Sequence, residues 1–494
     1  MLRRLAIAAV ALAAAGCAAP INPPLAAYGT GGYRYANVRT ETSEEELFVI
    51  LAFSGGGTRA AAFSQGVLDG LQGVRYQPPG RAERTLLDDV DVISSVSGGS
   101  FTAAHYALFG PDGFKRFEKN FLHRDIQGDL ILRALAPWNW FRLLRRDFSR
   151  IDLAAELYDE VVFDHATFKT LLEAAPHRPP YVLLNATDMT LGARFEFTQD
   201  QFDLLCSDLA PVPVARAVAA SSAFPVLLSP LTVQNHAERA PCDAPFDAPT
   251  WLKNAQDSPD QPRRAMLARN LLSYRTQVKD RPWVHLLDGG LADNIGLRGP
   301  YVALSGQDSA WSVYTKISKG TIKRVLVITA NARTRSDPDW DAHRSPPGLG
   351  GVLGLVTTGP MGNFSFETVQ LVAEHFAQFR GDLDNFFACE AIGKRQCDTF
   401  TMPFEPSSPD VKFHAVELAF GNLPDTERDL RRCLEGLATS FHLPAAQVEL
   451  LRLAARRLLM QSTPFQQAMA GIAPGWKPGD VEIPPALVAE ACGR

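Results

Sequence analysis

The chain lacks the residue spacings that bind metals in proteins. Its cysteines include no Cys-x-x-Cys pair and its histidines include no His-x-x-x-His pair, and those spacings are typical of zinc sites. The chain also lacks a basic stripe, because 49 Lys and Arg against 54 Asp and Glu give a net charge of −5. Nucleic-acid-binding proteins need such a stripe. We therefore expect no metal, no cofactor and no nucleic-acid partner, and the sequence does not indicate any protein partner.

The N-terminal apolar stretch is too short to cross a bilayer. It covers residues 5–15, follows two arginines and ends in Ala-Ala-Gly-Cys at residues 14–17, a layout typical of an export signal. We expect residues 1–17 to be a bacterial lipoprotein signal peptide that ends at a lipidated Cys17. Ala14 departs from the pattern, which prefers Leu at that position.

An ordinary secretory signal, cut near Ala19, is the alternative to this lipoprotein signal. Acyl chains on Cys17 would anchor the protein to a membrane, because each buried methylene contributes about 0.8 kcal/mol. Ala18 is not the Asp that often retains lipoproteins at the inner membrane. We expect a lipid-anchored protein of the bacterial cell envelope, at the outer membrane rather than the inner membrane.

Six further cysteines follow the signal, and an even number suits an oxidising compartment. Neighbour pairing is the simplest choice among the possible connectivities. It predicts the disulfides Cys206–Cys242, Cys389–Cys397 and Cys433–Cys492. The alternative is six free, buried thiols.

The pattern of apolar runs predicts an α/β fold. Residues 18–46 are rich in Pro, Ala, Gly and Tyr, which predicts a tether. A continuous apolar run begins at Leu47 and predicts a strand buried on both faces. Similar runs alternate with helix-like segments, so we expect a mostly parallel sheet between helices. These further runs lie at residues 90–93, 181–184, 284–287 and 325–328.

The remaining segments predict one main domain and an extension. We expect the main domain over residues 47–335, with a polar, Pro-rich surface insertion at about 232–282. Residues 336–494 are expected to form a cover loop, up to about residue 362, and a helical extension packed on the core. Within the extension we predict helices over Thr368–Phe379, Asp425–Ser440 and Ala445–Gln461, and a strand around residues 416–420.

Two glycine-rich turns each join an apolar run to a helix-like segment. The first contains Gly55, Gly56 and Gly57, whose amides can converge on one small anion because no side chains intervene. A nucleotide phosphate loop would need a Lys or a different glycine spacing. The second turn places Ser97 between Val96 and two glycines, which fits a nucleophile on a sharp strand-to-helix turn.

A third segment supplies a carboxylate. Asp288 ends an apolar run before two glycines, where a buried carboxylate needs a partner and a raised proton affinity to act as a base. Its alternative role is to cap a turn. Asp293 is a weaker candidate for the base, and Asn294 is expected only to cap a turn.

These motifs resemble those of the patatin-like phospholipase family. The match comprises Gly-Gly-Gly-Thr-Arg at residues 55–59, Ser-Val-Ser-Gly-Gly at 95–99 and Asp-Gly-Gly at 288–290, in order and position. Ala-Ala-Ser-Ser-Ala-Phe-Pro at residues 219–225 is also similar to a family segment. The resemblance covers roughly residues 47–335. Ser95 departs from the motif, which has Gly there, and its extra atoms are expected to crowd the turn.

The resemblance implies a three-layer αβα sandwich, a membrane lipid substrate and a Ser-Asp dyad instead of a triad. Ser97 would be the nucleophile and Asp288 the base in the hydrolysis of a lipid ester. The amides of Gly56 and Gly57 would hold the oxyanion, with Gly55 and Arg59 in the same oxyanion-hole loop. Arg59 could alternatively meet an anionic substrate or be a solvated helix residue.

The sequence is compatible with two rival functions. An esterase with a Ser-Asp-His triad would need a histidine after Asp288, and the candidates are His343, His375 and His414. A lipoprotein that keeps the fold as a non-catalytic scaffold is the other rival.

Residues 137–146 mix tryptophan, phenylalanine and leucine with three arginines. That composition suits a bilayer interface. The alternative is a covering helix whose Trp138 and Trp140 pack inward.

Overall fold

The fold is an αβα sandwich in a computed structural model. The structure describes residues 22–39, 46–145, 147–174, 179–225, 227–239, 241–242, 248–256, 262–305, 312–334, 341, 343–345, 348–392 and 410–493. Cys17, the expected signal peptide and Cys397 lie outside these residues. Helices cover a mixed, mostly parallel sheet, so the expected fold class is confirmed.

The central sheet carries buried apolar strands at its middle. The strands are β1 (Leu47–Phe53), β4 (Val90–Val96), β5 (Tyr181–Asp188), β6 (Ala193–Glu196), β7 (Leu231–Gln234), β8 (Trp283–Asp288), β9 (Arg324–Asn331) and β10 (Lys412–Ala419), with a separate hairpin of β2 (Arg75–Tyr76) and β3 (Arg84–Thr85). The order in the sheet is β10-β9-β1-β4-β5-β8-β7, and β6 pairs with β5. From β10 to β5 neighbouring strands are parallel, and β6, β7 and β8 are antiparallel to their neighbours.

The helices lie on both faces of this sheet and at its end. They are α1 (Tyr35–Val38), α2 (Gly57–Gly73), α3 (Gly98–Phe109), α4 (Phe114–Phe117), α5 (Ile126–Leu135), α6 (Pro137–Leu143), α7 (Arg150–Tyr158), α8 (Phe168–Leu172), α9 (Gln199–Leu204), α10 (Val214–Ser221), α11 (Thr250–Gln256), α12 (Pro262–Thr276), α13 (Gly290–Asp293), α14 (Arg298–Ser305), α15 (Val313–Ser318), α16 (Leu349–Ile392), α17 (Arg428–Glu435), α18 (Ala445–Gln461), α19 (Thr463–Ile472) and α20 (Pro485–Ala491). None of the described helices is long and apolar enough to span a membrane.

Strand register brings the three sequence motifs to one edge of the sheet. Strands β1 and β4 are parallel neighbours, so the glycine turn after β1 and the serine turn after β4 leave the sheet at the same edge. Val96 pairs with Asn185 on β5, and the next residue on β5, Ala186, pairs with Asp288 on β8. The aspartate therefore reaches the same level of the sheet from an antiparallel strand.

The tether expected over residues 18–46 is wrong for the part that the structure describes. Tyr33 is only 1% exposed, its ring stacks on Tyr181 at 5.2 Å, and its hydroxyl donates to the carbonyl of Val182. Asn22 bonds Ser207 at 2.8 Å. The composition resembles a linker, but its aromatic side chains pack on the domain.

The surface insertion expected at about 232–282 is also part of the core. It begins inside β7, where Val233 is buried. Farther along, Leu252 and Tyr274 are buried in the main apolar cluster, and the Tyr274 hydroxyl donates to Asp188 at 2.7 Å. The polar composition hides this because only a few residues of each of the two helices in this segment are buried.

The C-terminal extension packs on the domain and adds a strand to it. β10 lies beside β9 in the central sheet, and α18 has the bounds predicted from its spacing. The expected cover loop is wrong from Leu349 onward, where the chain is helical through Pro360. The glycines and the proline suggested a loop. Gly362 instead leaves room for the Arg333 guanidinium, because it has no side chain, and this guanidinium donates to the Gly362 carbonyl at 2.9 Å.

Two of the three predicted disulfides are confirmed. Cys206 and Cys242 are bonded with their Cα atoms 6.0 Å apart, and Cys433 and Cys492 with theirs 5.7 Å apart. The second of these bonds joins α17 to the chain end beyond α20.

Packing of α18 on α2 predicts a steric sensitivity at Gly66. A Cβ on Gly66 would lie 2.4 Å from the carbonyl oxygen of Arg452 on α18. Gly66→Ala should therefore destabilise the protein by about 1–3 kcal/mol, the usual cost of overpacking. Gly73→Ala is the matched control, because a Cβ there meets no atom within 4 Å. Chemical denaturation of both variants would measure this, and equal stabilities would contradict the close packing.

Candidate active site

Ser97 sits on a strained turn between β4 and α3. Its backbone has φ 49° and ψ −119°, a conformation that costs a non-glycine residue on the order of 1–3 kcal/mol. The residue is 7% exposed. Such strain at one serine, at the end of a buried strand, is the geometry of a nucleophile elbow.

The glycine turn packs directly on the start of α3. A Cβ on Gly98 would lie 2.0 Å from the carbonyl oxygen of Gly57, so only glycine fits at residue 98. Gly57 itself has φ 61°, and it is the first residue of α2. The N-termini of α2 and α3 therefore meet beside Ser97, and their positive ends favour an anion there.

The amides of the glycine turn are not equivalent. The Gly55 amide donates to the carbonyl of Asn294 at 2.9 Å, and the Thr58 amide donates to the carbonyl of Ser440 at 2.9 Å. Within the described residues, the amides of Gly56 and Gly57 have no hydrogen-bond acceptor. The expectation that Gly55 belongs to the donor set is wrong for its amide, because that amide is already bonded.

Gly55 leaves room for the Ser97 side chain, because it has no side chain of its own. A Cβ on Gly55 would lie 3.3 Å from the Cβ of Ser97 and 2.5 Å from the side-chain oxygen of Asn294. A side chain at this position would therefore crowd the serine.

Arg59 is a positioning residue below the turn. It is 3% exposed and donates to the carbonyls of Ala332 at 2.9 Å and Leu437 at 2.8 Å, and to the hydroxyl of Thr439. Burial lowers the pKa of its guanidinium to about 10. The solvated alternative is therefore wrong: Nε and Nη1 donate behind the turn, while Nη2 lies 2.9 Å from the position of a Cβ on Gly56.

Asp288 is buried beside Ser97. It is 4% exposed, and burial raises the pKa of its carboxyl to about 6, against the smaller lowering effects of the Gly290 amide and the Ser97 hydroxyl. The Gly290 amide donates at 2.8 Å. Its backbone is fixed as well, because its amide donates to Ala223 and its carbonyl accepts from Thr187 at 2.8 Å.

Asp293, the weaker candidate, faces a different partner. Its carboxylate accepts from the amide of Arg298 at 2.7 Å, which is a turn-capping contact. Asn294 does more than the expected capping, because its backbone carbonyl bonds Gly55. Its side-chain oxygen also lies 2.7 Å from the position of a Cβ on Gly290. Asn294 therefore lies between the glycine turn and the segment that carries Asp288, and it contacts both.

Ser221 is a positioning residue that the sequence did not reveal. Its hydroxyl accepts from the Ser97 amide at 2.9 Å and donates to the carbonyl of Asn185 at 2.6 Å. Its oxygen also lies 2.9 Å from the hydroxyl oxygen of Ser100, which in turn lies 3.1 Å from that of Ser95. Ser95 donates in turn to a backbone carbonyl of β5 at 3.2 Å. The expected crowding by Ser95 is therefore wrong, since its hydroxyl joins this network.

The histidines of the rival triad lie elsewhere. His343 is exposed, and His375 on α16 bonds a backbone carbonyl of α14 at 3.1 Å. Across β9 and β1, the register sets His414 level with Val90 at the start of β4. Ser97 is seven residues farther on, about 23 Å along a strand. None of the three contacts Asp288 in the described structure.

The described ranges contain no group of three or more His, Cys, Asp or Glu side chains placed to hold a metal ion. A buried serine beside a buried carboxylate, next to two helix N-termini, defines a hydrolase-type site on an αβα fold. The sequence matches the family Patatin-like phospholipase over residues 51–301. The chain belongs to this family of lipid hydrolases.

Solved structures give weaker similarities. Human GIVD cytosolic phospholipase A2 aligns with 13% identity and a TM-score of 0.46, over 93% of this chain and 65% of the human chain. The chain thus spans less than two thirds of the human protein. A Pseudomonas aeruginosa complex of SpcU with ExoU aligns with 14% identity and a TM-score of 0.19, over 91% of this chain and 77% of that chain. No curated protein matches the sequence.

The raised pKa of Asp288 predicts a pH-dependent gain in stability for Asp288→Asn. The folded carboxyl titrates near 6 and an ordinary one near 3.8. Between these values the folded protein holds a proton that the unfolded chain has lost, so wild-type stability falls as pH rises. Asparagine has no such loss, and the advantage of the variant should grow through this window. Denaturant midpoints of both proteins across the window would measure it, and a constant difference would contradict the buried-carboxyl assignment.

Proposed function

We propose that this protein hydrolyses carboxylic esters of membrane lipids through a Ser97–Asp288 dyad, as a phospholipase A or lysophospholipase. The observation that carries the proposal is the placement of a strained Ser97 beside a buried Asp288, whose carboxyl pKa burial raises to about 6. A base is most effective when its pKa lies near the working pH. A value of about 6 leaves the carboxyl mostly ionised near neutral pH and more basic than an exposed aspartate.

In the proposed reaction, Asp288 takes the proton of the Ser97 hydroxyl as its oxygen attacks the ester carbonyl. The amides of Gly56 and Gly57 and the two helix N-termini stabilise the oxyanion that forms. The protonated Asp288 then gives its proton to the departing alcohol, which leaves an acyl-serine. Water, deprotonated by Asp288, attacks this ester, and the proton returns to Ser97 as the fatty acid departs.

The expected anchor belongs to the same proposal. We propose that Cys17 is acylated and holds the protein at a membrane of the bacterial envelope, the outer membrane in preference to the inner one. The layout of residues 1–17 and Ala18 supports this.

Substitution of the dyad should abolish ester hydrolysis. Ser97→Ala should lose all activity because no nucleophile remains, and Asp288→Asn should lose at least ~100-fold, the usual contribution of a general base. His375→Ala and Asp293→Asn are controls that should retain wild-type rates, the second being a buried carboxylate next to the site. The measurement is fatty-acid release from phospholipid and from a soluble nitrophenyl ester. Activity in Ser97→Ala would rule out the assignment, and loss in His375→Ala would favour the triad.

The anchor can be tested by labelling cells with radioactive palmitate. Wild type should take up the label and fractionate with the outer membrane, whereas Cys17→Ser should remain unlabelled because the acceptor thiol is gone. Label on the Cys17→Ser protein would contradict acylation at this residue.

A further inference from the structure

Helices α5 and α6 expose large apolar side chains that a covering helix would bury. Trp138 is 71% exposed, Phe141 78% and Leu144 82%. These residues recur every three positions and so share one side of the helix. We call this surface the apolar face and define it by Ile131, Leu132, Leu135, Trp138, Phe141 and Leu144.

The inward-packing alternative for the two tryptophans is therefore wrong. Trp140 is also exposed, at 55%, whereas the polar Asn139 between them is 4% exposed and donates to the carbonyl of Arg133 at 2.8 Å. A helix on a protein surface usually buries its apolar side. Here the polar Asn139 faces the protein and the aromatic rings face outward. Contiguous exposed apolar patches of this kind mark interaction surfaces.

The cations near the apolar face are neutralised by neighbours. Arg133 pairs with Glu160, and Arg142 bonds Glu156 at 3.0 Å while its guanidinium also stacks over a phenylalanine. Arg145 pairs with the carboxylate of Asp147 at 2.8 Å. Among the residues that the structure describes, these three arginines therefore add no unpaired positive charge to the apolar face.

One end of the apolar face begins beside the glycine turn. At the start of α5, the Gln127 amide donates to the carbonyl of Phe441. The preceding residue, Ser440, accepts from the Thr58 amide, and its carbonyl oxygen lies 2.3 Å from the position of a Cβ on Gly57. A single segment thus touches both the proposed oxyanion donors and the helix that leads to the face.

The other end of the apolar face is tied to the segment that positions Asp288. After α6 the chain reaches Ser149, whose hydroxyl accepts from Ser229 at 2.9 Å. Ser229 closes the stretch that follows Ala223, the residue that accepts from the Asp288 amide. Leu227 lies in this stretch and is 60% exposed.

Helix α16 places further apolar groups next to the site. The terminal methyl of Met361 lies 3.4 Å from the position of a Cβ on Gly290, next to Asp288. Phe364 and Phe366, within the next two turns, are 52% and 63% exposed. Exposed apolar residues of α16 therefore also lie near the Ser97–Asp288 site.

We propose that the apolar face docks on a bilayer of zwitterionic lipid, with the Ser97–Asp288 site facing the headgroups. Tryptophan and phenylalanine suit the headgroup level of a bilayer, and an amphipathic helix binds there through its buried apolar area. Because the three described arginines beside the face, Arg133, Arg142 and Arg145, are paired, we expect binding to depend on apolar area and not on anionic lipid. The inference rests on the proposed function for its choice of a lipid partner.

The test compares full-length proteins that all carry Cys17→Ser, so that acylation cannot conceal the contribution of the face. Binding to sucrose-loaded phosphatidylcholine vesicles is measured by sedimentation at low and high salt. The triple variant Trp138→Ala/Phe141→Ala/Leu144→Ser should lose at least ~10-fold in binding, since it removes three exposed apolar side chains. Leu144→Ser and Met266→Ser form a matched pair, since Met266 is 56% exposed on α12 outside the face. Only the first should weaken binding, and Leu144→Trp should strengthen it.

Hydrolysis assays with a soluble ester and with vesicles distinguish a defect in membrane docking from a defect in catalysis. The triple variant should hydrolyse a soluble nitrophenyl ester at the wild-type rate but release less fatty acid from vesicles. Unchanged vesicle binding in the triple variant would overturn the docking proposal, even if both esters are hydrolysed. Binding that requires anionic vesicles or is lost at high salt would also overturn it. A change from dimer to monomer in the triple variant without lipid would assign the face to a second copy. If the parent protein hydrolyses neither ester but binds vesicles through the apolar face, only the proposed function is refuted and the docking proposal stands.

Discussion

The carbonyl of Gly57 occupies the space that a side chain at residue 98 would need, with only 2.0 Å to the position of a Cβ. This contact determines where α2 and α3 begin and brings their N-termini together. It also holds Ser97 at φ 49°, since the serine is the residue immediately before α3. One glycine–glycine contact thus brings Ser97, the unbonded amides of Gly56 and Gly57 and the local positive potential to the same point.

Residues beyond the family match maintain this contact. The match ends at residue 301, yet Thr58 bonds Ser440 and the Arg59 guanidinium bonds Leu437. Burial of Arg59, of Asp288 and of a strained serine all cost stability. The surrounding core of β-strands and the α18–α2 packing offset that cost. The C-terminal extension is therefore part of the structure of the site and not an accessory to it.

The sequence predicts those features that depend on local spacing. Strand β1 and helix α18 follow their apolar periodicity, and two disulfides follow neighbour pairing. Features that depend on tertiary contacts were not predictable in this way. The role of Ser221 arises only because α10 ends beside the turn at Ser97. Glycine and proline around Pro360 suggested a loop, but packing on the domain keeps that segment helical.

The packing of the N-terminal segment limits how an acylated Cys17 could act. Asn22 is fixed to Ser207 and to the backbone of Gln234 on β7. Cys17 lies five positions before it, with four residues between them, and an extended chain over five such steps spans at most ~18 Å. An acylated Cys17 would therefore hold the β7 edge close to the bilayer. The start of β7 follows Ser229, which bonds the chain at the end of α6. A short anchor and an apolar face that converge on this flank would restrict rotation of the domain, and they would keep the Ser97–Asp288 site at the membrane surface.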